Sequence, residues 1–167
     1  MSTPETWAKR FGAMAIINLL LTIGWALLPL LYDPNISRYI AGGSAGTWGY
    51  LGFLAMIIGG FTGFAALASL YYIIPKATGG NVNNILAWLN LVLGEVGIIG
   101  LSTLLGVAGY IGGQLIRAGR AAEVHAAIVW FTVEPFPGPV AIFLGLAGLG
   151  AFLGIVNLLL AFRSKKV

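Results

Sequence analysis

The chain has 167 residues, of which 59% are hydrophobic and only 8% charged, and its net charge is +4. Soluble globular domains carry charge on about a quarter of their residues, so this composition excludes an ordinary soluble domain. The sequence has no cysteine and one histidine, which excludes disulfides, thiolate metal ligands and a multi-histidine metal site.

Four long apolar stretches make up most of the sequence. Each is long enough to cross a hydrocarbon core of about 30 Å at about 1.5 Å per residue. Continuous apolar runs of this length are typical of helices, because barrel strands alternate in polarity. We therefore predict an all-α integral membrane protein, in which residues 1–167 form one transmembrane domain with four helices packed as a bundle. The predicted helices cover residues 11–31, 47–74, 85–116 and 140–162.

The first helix has recognisable signals at both ends. Thr3 and Pro4 form a plausible capped start, and Trp7 beside Lys9 and Arg10 is typical of an anchor at the membrane interface. The segment 33–35, Asp-Pro-Asn, ends the helix because proline restricts the residue before it and cannot continue the helical hydrogen bonds.

Glycine recurs at short spacing in the other three helices. Apolar burial does not drive helices together in lipid, so faces of small residues are the usual means of close association. We interpret these glycines as packing surfaces that dock on neighbouring helices or larger subunits. The positions are Gly59, Gly63, Gly97, Gly100, Gly106, Gly109, Gly150 and Gly154.

Glu95 is the only charged side chain inside the four apolar stretches, and it lies in the third. A carboxylate is costly in hydrocarbon unless it has a partner, so we expect a neutral, hydrogen-bonded carboxyl. Asn90 precedes Glu95, and Ser102 follows it two turns later on the same face. Two interpretations stay open: a proton relay or partner for a cation of another subunit, or a structural hydrogen bond to a neighbouring helix. The candidate structural partners are Asn18, Thr22, Thr62, Ser69 and Asn157.

The connection after the third helix has its own pattern. Residues 118–131 could form an interfacial helix, and the proline-rich segment 132–139 then predicts a loop. His125 lies in this polar connection rather than within a spanning helix, so we interpret it as a solvated interfacial residue rather than a haem or metal ligand. Tyr71, Tyr72 and Trp88 lie near helix ends, which predicts an aromatic belt.

The sequence YYIIPKATGG at residues 71–80 resembles a helix end of the haem-copper oxidase catalytic subunit. In that family an aromatic pair, an apolar pair, Pro, a basic residue and Thr-Gly close one helix before the next begins. The strings at 86–90 and 109–110, with Arg117, Arg120 and Glu123, extend the resemblance over residues 47–123. The family places an axial haem histidine where this sequence has Phe53, and its catalytic subunit needs many more helices and histidines. The resemblance therefore implies a relative without haem or copper ligands.

These observations lead to one functional expectation and one alternative. We expect a non-catalytic membrane subunit of a respiratory electron-transfer complex of oxidase type, with a packing or positioning role. Its partners would be other membrane subunits and lipid, without nucleic acid, and it would bind no cofactor alone, haem and copper belonging to partner subunits. The alternative is a small homo-oligomeric transporter, coupled to protons or cations, whose protomers meet around Glu95.

The scattered basic residues predict the topology. Six cations, at positions 9, 10, 76, 163, 165 and 166, lie on one side of the predicted helices, and three, at 38, 117 and 120, lie on the other. The positive-inside rule then places both termini in the cytoplasm of a multi-pass protein of the cell membrane.

Single cysteines introduced at Ser2, Ser37 and Ser164 test this orientation, because the chain has no cysteine of its own. We expect an impermeant thiol reagent to label the Ser37→Cys variant in intact cells and to leave the other two unlabelled until the cells are opened. The reverse pattern would show that the topology is inverted.

Overall fold

The computed structural model describes residues 3–41, 46–132 and 138–163, and within these ranges every regular element is a helix. Four of the helices are long and apolar enough to cross a membrane, which confirms the predicted all-α bundle. The elements are α1 (Pro4–Leu31), α2 (Asn35–Ala41), α3 (Gly46–Thr78), α4 (Asn84–Arg117), α5 (Ala121–Thr132) and α6 (Pro139–Arg163). We call the end of the bundle where α1 begins and α6 ends the termini end, and the opposite end the far end.

The limits of α1 follow the signals in its sequence. The Thr3 side chain accepts a hydrogen bond from the Thr6 N–H at 3.3 Å, and Pro4 occupies the first position, where its missing donor costs nothing. The helix therefore begins before the apolar stretch at Phe11. It ends at Leu31, and its C-cap Tyr32 directly precedes the Asp-Pro pair.

The end of α3 differs from the predicted limit at residue 74. The helix continues through Pro75 to Thr78, so Lys76 lies in its last turn rather than in a connection. Gly79 ends the helix in the left-handed conformation at φ 69°, and its N–H donates to the Pro75 carbonyl at 2.8 Å. A proline in the last turn removes only one backbone donor, and the glycine decides where the helix stops.

The middle of α3 is wound as a π-helix over Ala55–Gly63. Side-chain hydrogen bonds show the change of winding: the Thr62 hydroxyl donates to the carbonyl of Ile57, five residues back, whereas Ser69 donates to Ala65, four residues back. A π-helical turn holds more residues than an α-helical one and is rare outside functional or strained segments. Two successive glycines, Gly59 and Gly60, lie in this wider turn.

The four long helices form a bundle in which neighbours in sequence are neighbours in space. Helix α3 packs between α1 and α4, and α6 packs along α4 with a smaller contact to α3. Helices α1 and α4 lie diagonally and are bridged by side chains rather than by close backbones. The short helices α2 and α5 contact α4, so α4 is the element that most of the fold surrounds.

Seven of the eight glycines predicted to pack do lie against another helix or a side chain from one. A Cβ at Gly97 would collide with the Ala147 backbone, and one at Gly150 would lie 2.6 Å from the Gly94 nitrogen. The other close neighbours are Ile98 for Gly59, Phe143 for Gly100, Trp25 for Gly106, Gly49 for Gly109 and Asn90 for Gly154. These contacts are within the chain, so they are not available for docking on other subunits.

Gly63 does not take part in this packing. A Cβ there would meet only the Ile58 carbonyl of its own helix, at 3.5 Å. Within the described chain, Gly59 therefore packs on a neighbouring helix and Gly63 does not. Gly60, which is buried against Asn18, is the second packing glycine of this segment.

Replacing Gly97 by Val should destabilise the bundle by about 1–3 kcal/mol, since α6 must move away to admit the side chain. Gly148→Val is the matched control, because it is the same change on a spanning helix at an exposed glycine with open space around it. Unfolding by SDS in mixed micelles, followed by tryptophan fluorescence, measures both. Equal stability of the two variants would contradict the close contact between α4 and α6.

Candidate functional site

Glu95 lies inside the bundle, where only 8% of its surface is exposed, and it faces the fully buried Asn18 of α1. The Asn18 amide Nδ2 donates to Glu95 Oε2 at 3.0 Å. Asn18 is one of the five partners expected from the sequence. The structure thus supplies Glu95 with a hydrogen bond from its own chain.

The register of α1 and α4 brings these two side chains to the same depth. Trp7 Nε1 donates to Asn84 Oδ1 at 2.7 Å, and the next bridge, from Asn18 to Glu95, follows eleven residues later on both helices. Eleven residues make three helical turns, so the bridges lie on one face of each helix. The contacts between the two helices form a seam of long side chains that crosses the diagonal of the bundle.

Gly60 of α3 has no side chain, and this leaves the space that the Asn18 side chain occupies. A Cβ at Gly60 would lie 3.1 Å from Asn18 Cγ and 3.3 Å from Nδ2, so a larger residue would push the amide out of place. Gly60 belongs to the π-helical segment. On α1 itself, the buried Thr22 hydroxyl donates to the Asn18 carbonyl at 2.7 Å and is thereby satisfied within the helix.

A second polar cluster lies nearer the termini end. Its centre is the Tyr71 hydroxyl, which accepts hydrogen bonds from Asn90 Nδ2 at 3.3 Å and from Asn157 Nδ2 at 3.1 Å. All three side chains are at most 1% exposed. They come from α3, α4 and α6, so the cluster joins three of the four spanning helices.

Asn157 also fastens α6 to the beginning of α4. Its Oδ1 accepts the Asn83 N–H at 2.8 Å, and its Nδ2 donates to the Asn83 carbonyl at 2.9 Å. Asn83 in turn caps α4, because its side chain accepts from the N–H groups of Ile85 and Leu86. One asparagine on the last helix therefore fixes the connection between α3 and α4.

Asn90 and Ser102, the residues predicted to accompany Glu95, are both buried but lie elsewhere. Asn90 belongs to the Tyr71 cluster. Ser102 is fully buried, and its Oγ has no hydrogen-bond partner among the described residues. Asn90, five residues before Glu95, lies on a different side of α4, and the three residues do not form one site.

Tyr71 corrects another expectation. It was predicted to belong to an aromatic belt, but it is fully buried, whereas Tyr72 is 41% and Trp88 48% exposed. Phe64, Tyr71 and Pro75 are all buried at seven- and four-residue spacing, which places Tyr71 on the inner face of α3. Counting turns from Phe64 would have revealed this.

An aromatic cluster covers the termini end of the seam. Phe11 stacks on Tyr71 with ring centroids 4.8 Å apart, and the Arg10 guanidinium lies 4.5 Å from the Trp7 ring centroid and 4.8 Å from that of Trp88. An arginine held between two indoles at a helix end combines cation–π attraction with an interfacial position.

At the far end, a mostly apolar cavity of about 360 Å³ opens between α1, α2, α3 and α4. Its wall includes Trp25, Tyr32, Thr103 and Tyr110.

The titratable side chains that follow α4 in the described part of the chain are exposed. Helix α5 carries the exposed His125, and the Arg120 guanidinium pairs with Glu123 and lowers the pKa of that carboxyl. Within the described residues, no group of three or more His, Cys, Asp or Glu side chains is close enough to hold a metal ion.

Comparison with protein-family models, curated proteins and solved structures gives no match to this chain. Its class therefore follows from the fold: four apolar spanning helices, joined inside by buried polar side chains, define a multi-pass helical membrane protein.

The pair of Glu95 and Asn18 yields a prediction about stability. Glu95→Gln should leave the bundle intact, because the amide keeps an acceptor for Asn18 Nδ2, whereas Glu95→Ala should cost on the order of 1–2 kcal/mol by leaving that donor unsatisfied. Thr62→Ala is the control, since Thr62 is an exposed polar residue of a spanning helix that bonds only to its own helix. SDS unfolding in mixed micelles gives the free energies. If Glu95→Ala matches Thr62→Ala, the bond to Asn18 contributes nothing.

Proposed function

We propose that this chain is a non-catalytic membrane subunit of a respiratory electron-transfer complex, of oxidase type, and that it packs beside larger subunits in the cell membrane. The proposal draws on the resemblance of residues 47–123 to the haem-copper oxidase catalytic subunit. That segment coincides with α3, α4 and the start of α5. The YYIIPKATGG string covers the end of α3, and the string at 86–90 lies in the first turns of α4.

The observation that carries a docking role is an uncovered face of α6. Its residues recur at alternating four- and three-residue spacing, which is the spacing of a helix–helix seam, and all of them are exposed. They are Ala141, Gly145, Gly148, Phe152, Ile155, Leu159 and Phe162. We call this the α6 seam.

The side chains of the α6 seam are small in one half of the helix and large in the other. Its far half is made of Ala141, Gly145 and Gly148, and nothing lies within 4 Å of the Cβ position of either glycine. Its termini half is made of large side chains, among which Phe152 is 60% exposed. Small residues let a neighbouring helix backbone approach closely, so this surface suits a helix that crosses α6 in its far half.

The burial of Glu95 favours this role over a homo-oligomeric transporter whose protomers meet around the acid. Glu95 is enclosed by α1, α3 and α4 of its own chain, and its partner Asn18 comes from the same chain. A second protomer would have to displace Asn18 of α1 to take its place beside Glu95. A transporter built on Glu95 would therefore need its pathway inside one protomer.

Purification from native membranes in mild detergent tests the proposal. We expect the tagged chain to bring down larger membrane subunits and the optical spectrum of haem, contributed by those partners. Mass spectrometry identifies the chains. Recovery of a homogeneous homo-oligomer with no other chain would overturn the proposal in favour of the alternative.

A variant pair locates the docking face. Replacing Gly145 and Gly148 together by Leu should reduce the recovery of partner subunits several-fold without changing the SDS unfolding of the purified chain. Gly24→Leu is the matched control, because Gly24 is an exposed glycine of α1 that also has open space around it. Equal recovery with both variants would exclude the α6 seam as the contact.

A further inference from the structure

The pair of Glu95 and Asn18 leaves two oxygen atoms unused. One bond, from Asn18 Nδ2 to Glu95 Oε2, joins the side chains at 3.0 Å. The remaining oxygens, Asn18 Oδ1 and Glu95 Oε1, are both buried and have no hydrogen-bond partner among the described residues. An amide oxygen and a carboxylate oxygen are both acceptors, so an ionised Glu95 could not satisfy either of them from within the pair.

A single proton on Glu95 allows both of these oxygens to take part in a hydrogen bond. A carboxylic acid presents one donor and one acceptor, which complement the acceptor and donor of a primary amide. With a proton on Oε1, Glu95 can donate to Asn18 Oδ1 while Oε2 keeps accepting from Nδ2. The terminal torsions of Asn and Glu are soft, so the two planar groups can rotate toward the orientation that a second bond needs.

The surroundings provide no cation to replace that proton. The spanning parts of α1, α3 and α6, residues 11–31, 47–74 and 140–162, contain no Asp, Glu, Lys, Arg or His. On α3, the titratable side chain that contacts α4 is that of Tyr71. Its hydroxyl already accepts hydrogen bonds from Asn90 and Asn157. Gly60 lies against Asn18, and the buried Thr22, one turn further along α1, donates its hydroxyl proton to the Asn18 carbonyl.

We propose that Glu95 and Asn18 together form a proton-binding site inside the bundle, in which Oε1 carries the proton and Oδ1 of the amide receives its hydrogen bond. Binding transfers one proton from hydronium to Glu95 Oε1: an O–H bond of hydronium breaks and leaves water, and one O–H bond forms on Glu95. Gly60 and the π-helical turn of α3 keep the space in which the amide can face the acid. The site belongs to the isolated chain and does not depend on the proposed role as a subunit.

A metal cation fits the same atoms less well. Hard cations such as Ca²⁺ take about six to eight oxygen ligands. The buried oxygens without a partner in the described part of the chain are Asn18 Oδ1, Glu95 Oε1 and Ser102 Oγ, and Ser102 lies two helical turns from Glu95. The pair can therefore bind a proton, but it supplies too few oxygen ligands for such a cation.

Infrared spectroscopy of the purified chain, labelled with ¹³C at the glutamate carboxyls, tests the proposal. We expect the wild type at neutral pH to show the carbonyl band of a protonated, hydrogen-bonded carboxylic acid, sensitive to the label. The band should be lost completely in Glu95→Gln, whose amide reproduces the donor and acceptor of the neutral acid. Glu123→Gln is the matched control, because Glu123 is exposed and ion-paired, and it should leave the band unchanged.

The role of Asn18 has its own readout. In Asn18→Leu the band should shift to higher frequency, because the acid carbonyl loses its donor. Should that variant fail to fold, the wild-type band decides: a position typical of a free acid would overturn the pairing. If folded wild type shows no band of a protonated carboxyl at neutral pH, the proposed proton site is overturned. If the band is present but is lost when NaCl is added at constant pH, the proton site is also overturned, and the pair binds a cation instead.

Discussion

Hydrogen bonds between buried polar side chains are the constraint on which this bundle depends. Hydrocarbon offers no partner to an amide or a carboxyl, so each such group inside the spanning helices must be satisfied by another helix. Asn18 and Glu95 meet across the diagonal, and Asn157 and Tyr71 meet nearer the termini end. Each contact requires a particular depth and rotation of both helices. Apolar packing alone would tolerate many registers, whereas these few bonds select one.

The glycines serve the same constraint from the backbone side. Contacts such as Gly150 on Gly94 bring α6 close enough to α4 for Asn157 to reach Asn83. Gly60 performs the corresponding task for Asn18, and the π-helical winding of α3 places it there. The small residues and the polar residues are thus two parts of one arrangement, in which close backbones allow short side chains to bond.

The sequence predicts the spanning helices because apolar length is a direct physical requirement of the bilayer. It also indicates that Glu95 needs a partner and includes Asn18 among five candidates, since both lie near the middle of their helices. It does not choose among the candidates, because pairing depends on which helices are adjacent and on their register. The helix α3 continues past the predicted limit at residue 74 because the Gly79 cap, and not Pro75, ends it. The apolar pattern also does not show that Ala55–Gly63 is wound as a π-helix.

The placement of Asn157 near the end of the last helix has a consequence for the order of membrane insertion. Synthesis delivers α1, α3 and α4 before α6, so the Asn83 N–H lacks its Asn157 partner, and the Tyr71 hydroxyl one of its two donors, until residue 157 has been added. Helix α6 therefore completes these bonds after the other three spanning helices have been synthesised. In a nascent chain that stalls before residue 157, the Tyr71 hydroxyl would have Asn90 as a donor but not Asn157.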